Sequence, residues 1–338
     1  MTAAALHILR AGPGCTLQDA GRSGWLRFGV TPAGPMDWRA HRAANRLAGA
    51  APEAAALEIG PGGIEVMAEG AALRIGLVAP GFVPSRDGSP LPTAVALTLA
   101  PGMRLSVLPG ARGTWAYLAL ARGLDVAPVM GSRATHLRSG LGPLGMVTAG
   151  LRLPILPGPE LLSLPEGGFD WPAPPALPLR FVPGPQSGAL TPDAEALFCT
   201  APWVVAPRSD RMGYRLAGPR LTHAAGHDIV SDGIALGAIQ VPGDGQPIVL
   251  MADRQPTGGY PKIGTVIRAD LPALAQTRPG ETVRFRAITV DEAVTTLRRA
   301  LKDDDDLVAS ARPLRGSVDL DALASGNHAS GFVRGDEG

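Results

Sequence analysis

Two stretches gather carboxylates, guanidinium groups and amides around glycine in the manner of ligand-binding loops. The first is Gln18-Asp19-Ala20-Gly21-Arg22, followed by Gly29 to Asp37. The second opens at Arg208 to Tyr214, continues through Ser231-Asp232-Gly233 and Gly237 to Pro242, and ends in Ala252-Asp253-Arg254-Gln255-Pro256-Thr257-Gly258-Gly259-Tyr260-Pro261-Lys262. Glycine lets a ligand approach the backbone, and loops at the ends of rigid strands are where binding sites concentrate. From Asp253 to Lys262 the chain offers two cations, a carboxylate, an amide, a hydroxyl and a phenol around Gly258-Gly259. If the two stretches meet, they form a polar cleft able to grip a small ligand. Simple pairing of Asp19 with Arg22, and of Asp210 with Arg211, competes with that role, because structural ion pairs are common.

Other motifs fail on context. Gly140, Gly142 and Gly145 match G-x-G-x-x-G, but Val147-Thr148 and Gly150 follow where a dinucleotide site needs a helix. No Gly-Lys pair exists for a Walker loop, and Gly21-Arg22-Ser23-Gly24 lacks the spacing of a nucleophile elbow. Gly226 interrupts the helix that would align His223 with His227, so those two read as loop or surface histidines. Cys15 and Cys199 read as small buried side chains. There is no biotin-attachment tetrapeptide; biotin, if used, must come on a partner. No metal site is expected.

The loops need strands to hold them. Leu6–Leu9, Ala55–Ile59, Ile64–Met67, Ala72–Val78, Ala94–Leu99, Leu105–Leu108 and Trp115–Leu120 are strand-length apolar runs, many ending at Gly or Pro, as sandwiches and barrels require. One helix interrupts them: Asp37 caps Trp38–Ala48, Ala40, Ala44 and Leu47 share a face, and Gly49 supplies the left-handed stop. The proline-rich LPEGGFDWPAPPALP reads as a stiff connector. Beyond it, strands are expected at Leu179–Val182, Trp203–Ala206, Ala235–Val241, Pro247–Ala252, Gly264–Arg268 and Thr282–Ile288. Thr191-Pro192 opens a short helix, and Asp291 a last one with Val294, Leu297 and Leu301 inward. The run Asp303–Asp306 is expected to be solvated and to end that helix, since helix carbonyls already make the field negative there. This divides the chain into an N-terminal β domain (1–165), a linker (166–178), a C-terminal β domain (179–305) and a loosely ordered tail (306–338).

Composition narrows the class. Gly 44 and Pro 34 fill close to a quarter of 338 residues, which disfavours long helices, and 45% hydrophobic residues supply an ample core. Aromatics are 4%, so the core is expected from Val, Leu, Ile and Ala. A net charge of +1 gives no field to attract nucleic acid or an anionic membrane. Lys262 and Lys302 are the only lysines, leaving guanidinium to carry the positive charge. With two cysteines, no signal-peptide pattern and no apolar span, a cytoplasmic location is expected.

On Gln18-Asp19, Gly21-Arg22, Met36-Asp37, Ala44-Asn45, Leu57-Glu58, Ser209–Leu216, Ile239–Pro242, Ala252–Ile263, Asp270-Leu271, Ala275-Gln276 and Arg284-Phe285, the sequence resembles the family of biotin-dependent carboxyltransferases and 5-oxoprolinase C subunits, also known as allophanate hydrolase subunit 2. Pro256 stands where that family usually has Thr, and Gly145-Met146 and Gly150-Leu151 replace its GG-GR and GD signatures. The resemblance implies a mainly β fold of two cyclophilin-like β-barrel domains with a few short helices. It implies a heteromeric complex with two partners, one KipI-like (the B subunit) and one of LamB/YcsF type (the A subunit), opening 5-oxoproline to glutamate with ATP and Mg²⁺. It further implies Asp19, Arg22, Asp37, Asp253 and Lys262 as catalytic groups. Arg211, Gln240, Gln255, Gly258, Gly259 and Tyr260 would bind the amide or lactam substrate, with Arg254 a further cation. Two alternatives stay open: transfer of CO₂ from a partner's carboxybiotin to urea or a similar amide, and non-catalytic antagonism of a kinase inhibitor.

Overall fold

The computed structural model describes residues 3–158, 165–173 and 178–314. The apolar runs of the first half become strands of two facing sheets. One has the order Arg152–Pro154, Ala5–Ala11, Ile64–Glu69, Arg104–Pro109, Phe82–Arg86, Ser89–Pro90. The other has the order Thr16–Gln18, Ala56–Ile59, Ala116–Leu120, Leu73–Val78, Ala94–Leu99, Gly167–Phe169, Arg312–Pro313. Ile8, Val66 and Val107 of the first sheet meet Leu57, Ile75, Leu97 and Leu118 of the second in one core. Ile64–Glu69 alternates buried and half-buried residues, as a strand with one covered face should. Leu73–Val78 is buried throughout, because helix α1 (Trp38–Ala48) covers its other face.

Helix α1 forms as its sequence dictates. The Asp37 carboxylate accepts from the N–H groups of Arg39 and Ala40, and Gly49 ends the helix at φ 84°. Its alanine face settles onto Gly76, where an added Cβ would come within 2.1 Å of the Ala44 carbonyl oxygen. Only glycine permits that approach.

The second half is an eight-stranded sheet in the order Thr282–Val283, Trp203–Val205, Gly213–Ala217, Ile248–Leu250, Ala238–Gln240, Lys262–Val266, Leu179–Pro183, Phe285–Ala287. Its two outermost strands are separated by Arg284 alone, so the sheet curls nearly to closure as a barrel. Helix α2 (Pro192–Thr200) carries the expected Thr191 cap, and α3 is Leu271–Ala275. The molecule is mainly β.

Several expectations need correction. The scarce aromatics do build core: Phe181, Phe198, Trp203 and Phe285 cluster inside the barrel, with Phe198 stacked on Phe285 at 4.6 Å. The last helix, α4, starts from a Thr289–Glu292 capping box and runs from Val290 to Ala309, through the aspartates expected to stop it. Asp304, 2% exposed, takes a bidentate contact from Arg39, and Asp305 pairs with Arg42 and Arg46. Those arginines lie three and four apart along α1, so their charge outweighs the unfavourable dipole. Val294 is exposed, whereas Leu297 packs inward with Ala293 and Ala300. Part of the proline-rich connector is a strand, Gly167–Phe169, paired with Ala94–Ala96. Of the expected tail, residues 306–309 are helical and Arg312–Pro313 joins a sheet; 315–338 lie outside the described residues. Among the described residues no helix is long and apolar enough to cross a membrane.

Candidate functional site

Where the halves meet, a charged node is buried. Glu58 points off a fully buried strand, with Tyr117 its cross-strand neighbour. Its Oε2 accepts from the Tyr117 hydroxyl at 2.7 Å and the Met36 N–H at 2.8 Å, and its Oε1 from Arg211 Nη1. Arg211 also donates to both oxygens of Asp253, at 3.0 and 2.8 Å, and to the Gly34 carbonyl at 2.7 Å. Burial pushes the Glu58 pKa up, while Arg211, the Met36 N–H and Tyr117 pull it back. Burial works to lower the Arg211 pKa, yet Glu58 and Asp253 outweigh it and hold it above the ordinary value. Engaged with one another out of solvent, the three side chains tie the halves together.

Asp19, Arg22 and Asp37 also make contacts within the fold, although the buried Nη1 of Arg22 has no partner among the described residues. Asp19 and Arg22 do not pair. Asp19 accepts from Gly21 N–H at 2.9 Å, Ser132 Oγ at 2.6 Å and Arg133 N–H at 2.6 Å. Arg22, 0% exposed, donates to the carbonyls of Val129 and Ala134, and burial lowers its pKa. Asp37 caps α1 and accepts from Gln276 Nε2 at 2.9 Å. Burial raises its pKa to about 6, against the Ala40 N–H, Gln276 and Arg39. Asp210 likewise turns to its own loop, accepting from Met212 and Gly213 N–H.

Lys262, Gln240 and Gly258 form a different arrangement. Gln240 and Lys262 are partners on adjacent strands, and Asp232 pairs with Gly258 in a two-stranded ribbon. The Lys262 ammonium, on a residue 7% exposed, pairs with an Asp232 oxygen at 3.0 Å. That pairing holds the half-exposed Asp232 carboxyl below its ordinary pKa. Gln240, 2% exposed, leaves its Nε2 without a partner. Gly258 roofs it: a Cβ there would come 2.6 Å from Gln240 Nε2 and 2.7 Å from Ile234 Cδ1. A buried donor without a partner costs about 1–3 kcal/mol, so Gln240 Nε2 is suited to an incoming acceptor. Around it, Gln186 Oε1 accepts from Lys262 N–H at 3.3 Å, Arg254 donates to the Ile234 carbonyl with its pKa lowered by burial, and Gly259 accepts from Ile229 N–H. Gln255 is half-buried and Tyr260 is 41% exposed.

The two glycine-rich stretches are joined in part. Ala20 and Ala33 of the first meet Met251 and Ala252 across a cleft of about 230 Å³, with His41 and Trp38 in its wall. The Gly258–Lys262 turn is not among that cleft's walls. A larger cleft of about 780 Å³ lies between Asp37, Trp171, Arg180, Asp270, Gln276 and Arg299, at the face of α4. Residue type and spacing alone do not mark Glu58, Tyr117, Gln276 or His136 as site residues. For Glu58 the available signal is a carboxylate inside the apolar run Ala55–Ile59.

A sandwich joined to a nearly closed barrel by a buried acid–arginine node, with a polar cradle on the barrel, defines a two-part β protein built around a seam. The chain matches the family model described as carboxyltransferase domain, subdomain A and B, over residues 28–287, and belongs to that family. It is 37% identical over 293 residues to the C subunit of 5-oxoprolinase from Escherichia coli K12, spanning 86% of this chain and 93% of that one. Its counterpart from Haemophilus influenzae is 34% identical over 87% of this chain and 94% of its own length. The solved K. lactis urea amidolyase superimposes with a TM-score of 0.82 at 26% identity, covering 91% of this chain but 20% of that one.

Proposed function

We propose that this chain is the C subunit of an ATP-dependent 5-oxoprolinase assembly and that the Gly258 cradle holds the lactam oxygen of 5-oxoproline. Similarity along nearly the whole length of stand-alone subunits named for that enzyme carries the reading. Lactam opening forms a bond from a water oxygen to the ring carbonyl carbon and breaks the carbon–nitrogen bond, with the nitrogen taking a proton. Negative charge develops on the lactam oxygen, and donors aimed there lower the barrier. Lys262 Nζ and Gln240 Nε2 are such donors. Asp232 beside Lys262 leaves the cradle close to neutral, which favours an uncharged amide oxygen over a full carboxylate. The Arg211–Asp253 pair anchors the start of the loop that leads to Lys262.

Among the described residues no three His, Cys, Asp or Glu side chains converge as a metal nest. In this reading Mg²⁺ and ATP belong to the KipI-like and LamB/YcsF-type partners, and this chain binds and orients substrate. The test is reconstitution of the three candidate subunits, measuring glutamate and ADP release from 5-oxoproline with and without this chain. Equal rates without it reject the reading. The carboxyltransferase family match and the likeness to urea amidolyase favour a second reading, in which the same cradle holds a urea-like acceptor for CO₂ from a partner's carboxybiotin. Carboxylation of urea by this chain with a carboxylated biotin carrier, without glutamate release, would establish it instead.

A further inference from the structure

We infer that His136 is a positioning residue that sets the main chain at Asp253, the first residue of the loop leading to Lys262; this rests on the function proposed above. His136 is 6% exposed and precedes a short 3-10 turn, Leu137–Ser139. The Ser139 N–H, 3.2 Å from His136 Nδ1, can only donate, so Nδ1 is the acceptor. The Ser139 hydroxyl sits 2.5 Å from the same nitrogen. The ring proton of the neutral imidazole is thereby fixed on Nε2, which faces the Asp253 carbonyl at 3.2 Å, a group that can only accept. The tautomer and both contacts agree.

What lies behind His136 gives the contact its meaning. Thr135 N–H donates to the Leu17 carbonyl, and Gln18 Nε2 donates to the Thr135 carbonyl at 3.0 Å. Gln18 Oε1 accepts from Gly34 N–H, and the Gly34 carbonyl accepts from Arg211, which grips the Asp253 carboxylate. Asp253 is therefore fixed twice from Gln18: through its carboxylate by Arg211 and through its carbonyl by His136. The backbone there is also held by the Asp253 N–H on the Arg211 carbonyl at 2.8 Å and the Arg254 N–H on the Met251 carbonyl at 3.1 Å, and His136 is the side chain that engages the Asp253 carbonyl itself. These contacts together fix the direction in which residues 254–262 leave it. His136 is thus a second link, beside Arg211, between the first glycine-rich stretch and the second.

Two substitutions separate this from a simple turn cap. His136→Asn retains an acceptor where Nδ1 lies but no donor reaching Asp253. His136→Gln retains a donor where Nε2 lies but loses the acceptor for Ser139. Hydrogen–deuterium exchange on the intact chain should show faster exchange across 251–262 in His136→Asn, and wild-type exchange there in His136→Gln. In the reconstituted complex, His136→Asn should lower kcat about 10- to 100-fold with little change in KM, as misplacement of about an ångström does. His136→Gln should recover most of that loss. If exchange across 251–262 is unchanged in His136→Asn, or is raised equally in both variants along with equal loss of thermal midpoint, the ring only caps its turn and the inference fails. Absence of turnover in the wild-type complex refutes the proposed function, while the exchange pattern still decides the link.

Discussion

Replacing Asp37 with Asn should expose an acid sensitivity that the wild-type protein conceals. Asp37 is 3% exposed, and burial lifts its pKa from 3.8 to about 6. Between those values the native state binds more protons than the unfolded chain, so this carboxyl's contribution is fully present below pH 3.8 and is lost as the pH rises through 6. A separation of about two pH units corresponds to about 3 kcal/mol. His41 acts in the opposite sense. Burial lowers its pKa from 6.5 to about 4, so its contribution is present above 6.5 and lost as the pH falls through 4, again by about 3 kcal/mol. Both residues belong to α1 or its cap, and their slopes cancel over the same window. Asn still caps a helix, so Asp37→Asn removes the first slope and leaves the second. Equilibrium denaturant unfolding at pH 4, 5, 6 and 7 should show the variant gaining about 3 kcal/mol relative to wild type from the lowest to the highest pH. A variant-to-wild-type difference that stays constant with pH, or falls, refutes the reasoning.

Lys262→Met should abolish turnover of the reconstituted complex while leaving the thermal midpoint of this chain nearly unchanged. Global unfolding of the variant would instead make the lysine structural. Gly258→Ala should likewise abolish turnover, because the new methyl must occupy the space of Gln240 Nε2, 2.6 Å away; unaltered kinetics would remove the cradle from the site. Arg211→Met strands two buried carboxylates and should cost about 3–5 kcal/mol in denaturant unfolding, and a loss well under 1 kcal/mol would mean solvent reaches the node. Asp304→Asn should accelerate hydrogen exchange along α4, since it removes the charge attraction behind a bidentate contact to Arg39. Protection equal to wild type would show that apolar packing alone holds the helix.

Local structure is legible wherever short-range chemistry decides it. Apolar runs bounded by Pro-Gly give a strand at Ala94–Leu99 with identical limits, and the Asp37–Gly49 pair delimits α1 to the residue. Sequence and structure part where distant partners override local preference. Asp303–Asp306 reads as a helix stop only until Arg39, Arg42 and Arg46 are brought opposite. Phe82–Arg86, interrupted by Pro84, does not read as a strand, yet Arg104–Pro109 pairs with it. At the site, residue type exposes the chemistry but not which atoms are free. Asp19 and Asp253 look as reactive in sequence as Gln240, and only the folded chain reveals that N–H groups, a hydroxyl and a guanidinium already occupy their carboxylates while Gln240 Nε2 is left without a partner among the described residues.

The Arg211 node also constrains how this molecule can breathe. A single guanidinium joins Gly34, Glu58 and Asp253, three points remote in the sequence, and separating them would strand both carboxylates in a dry interior. Gln276, on Asp37, Thr114 and Trp115, and Arg278, on the carbonyls of residues 110–113, fasten the same seam further along. A partner that reshapes the clefts beside α4 would therefore act at their rims, leaving the seam itself shut.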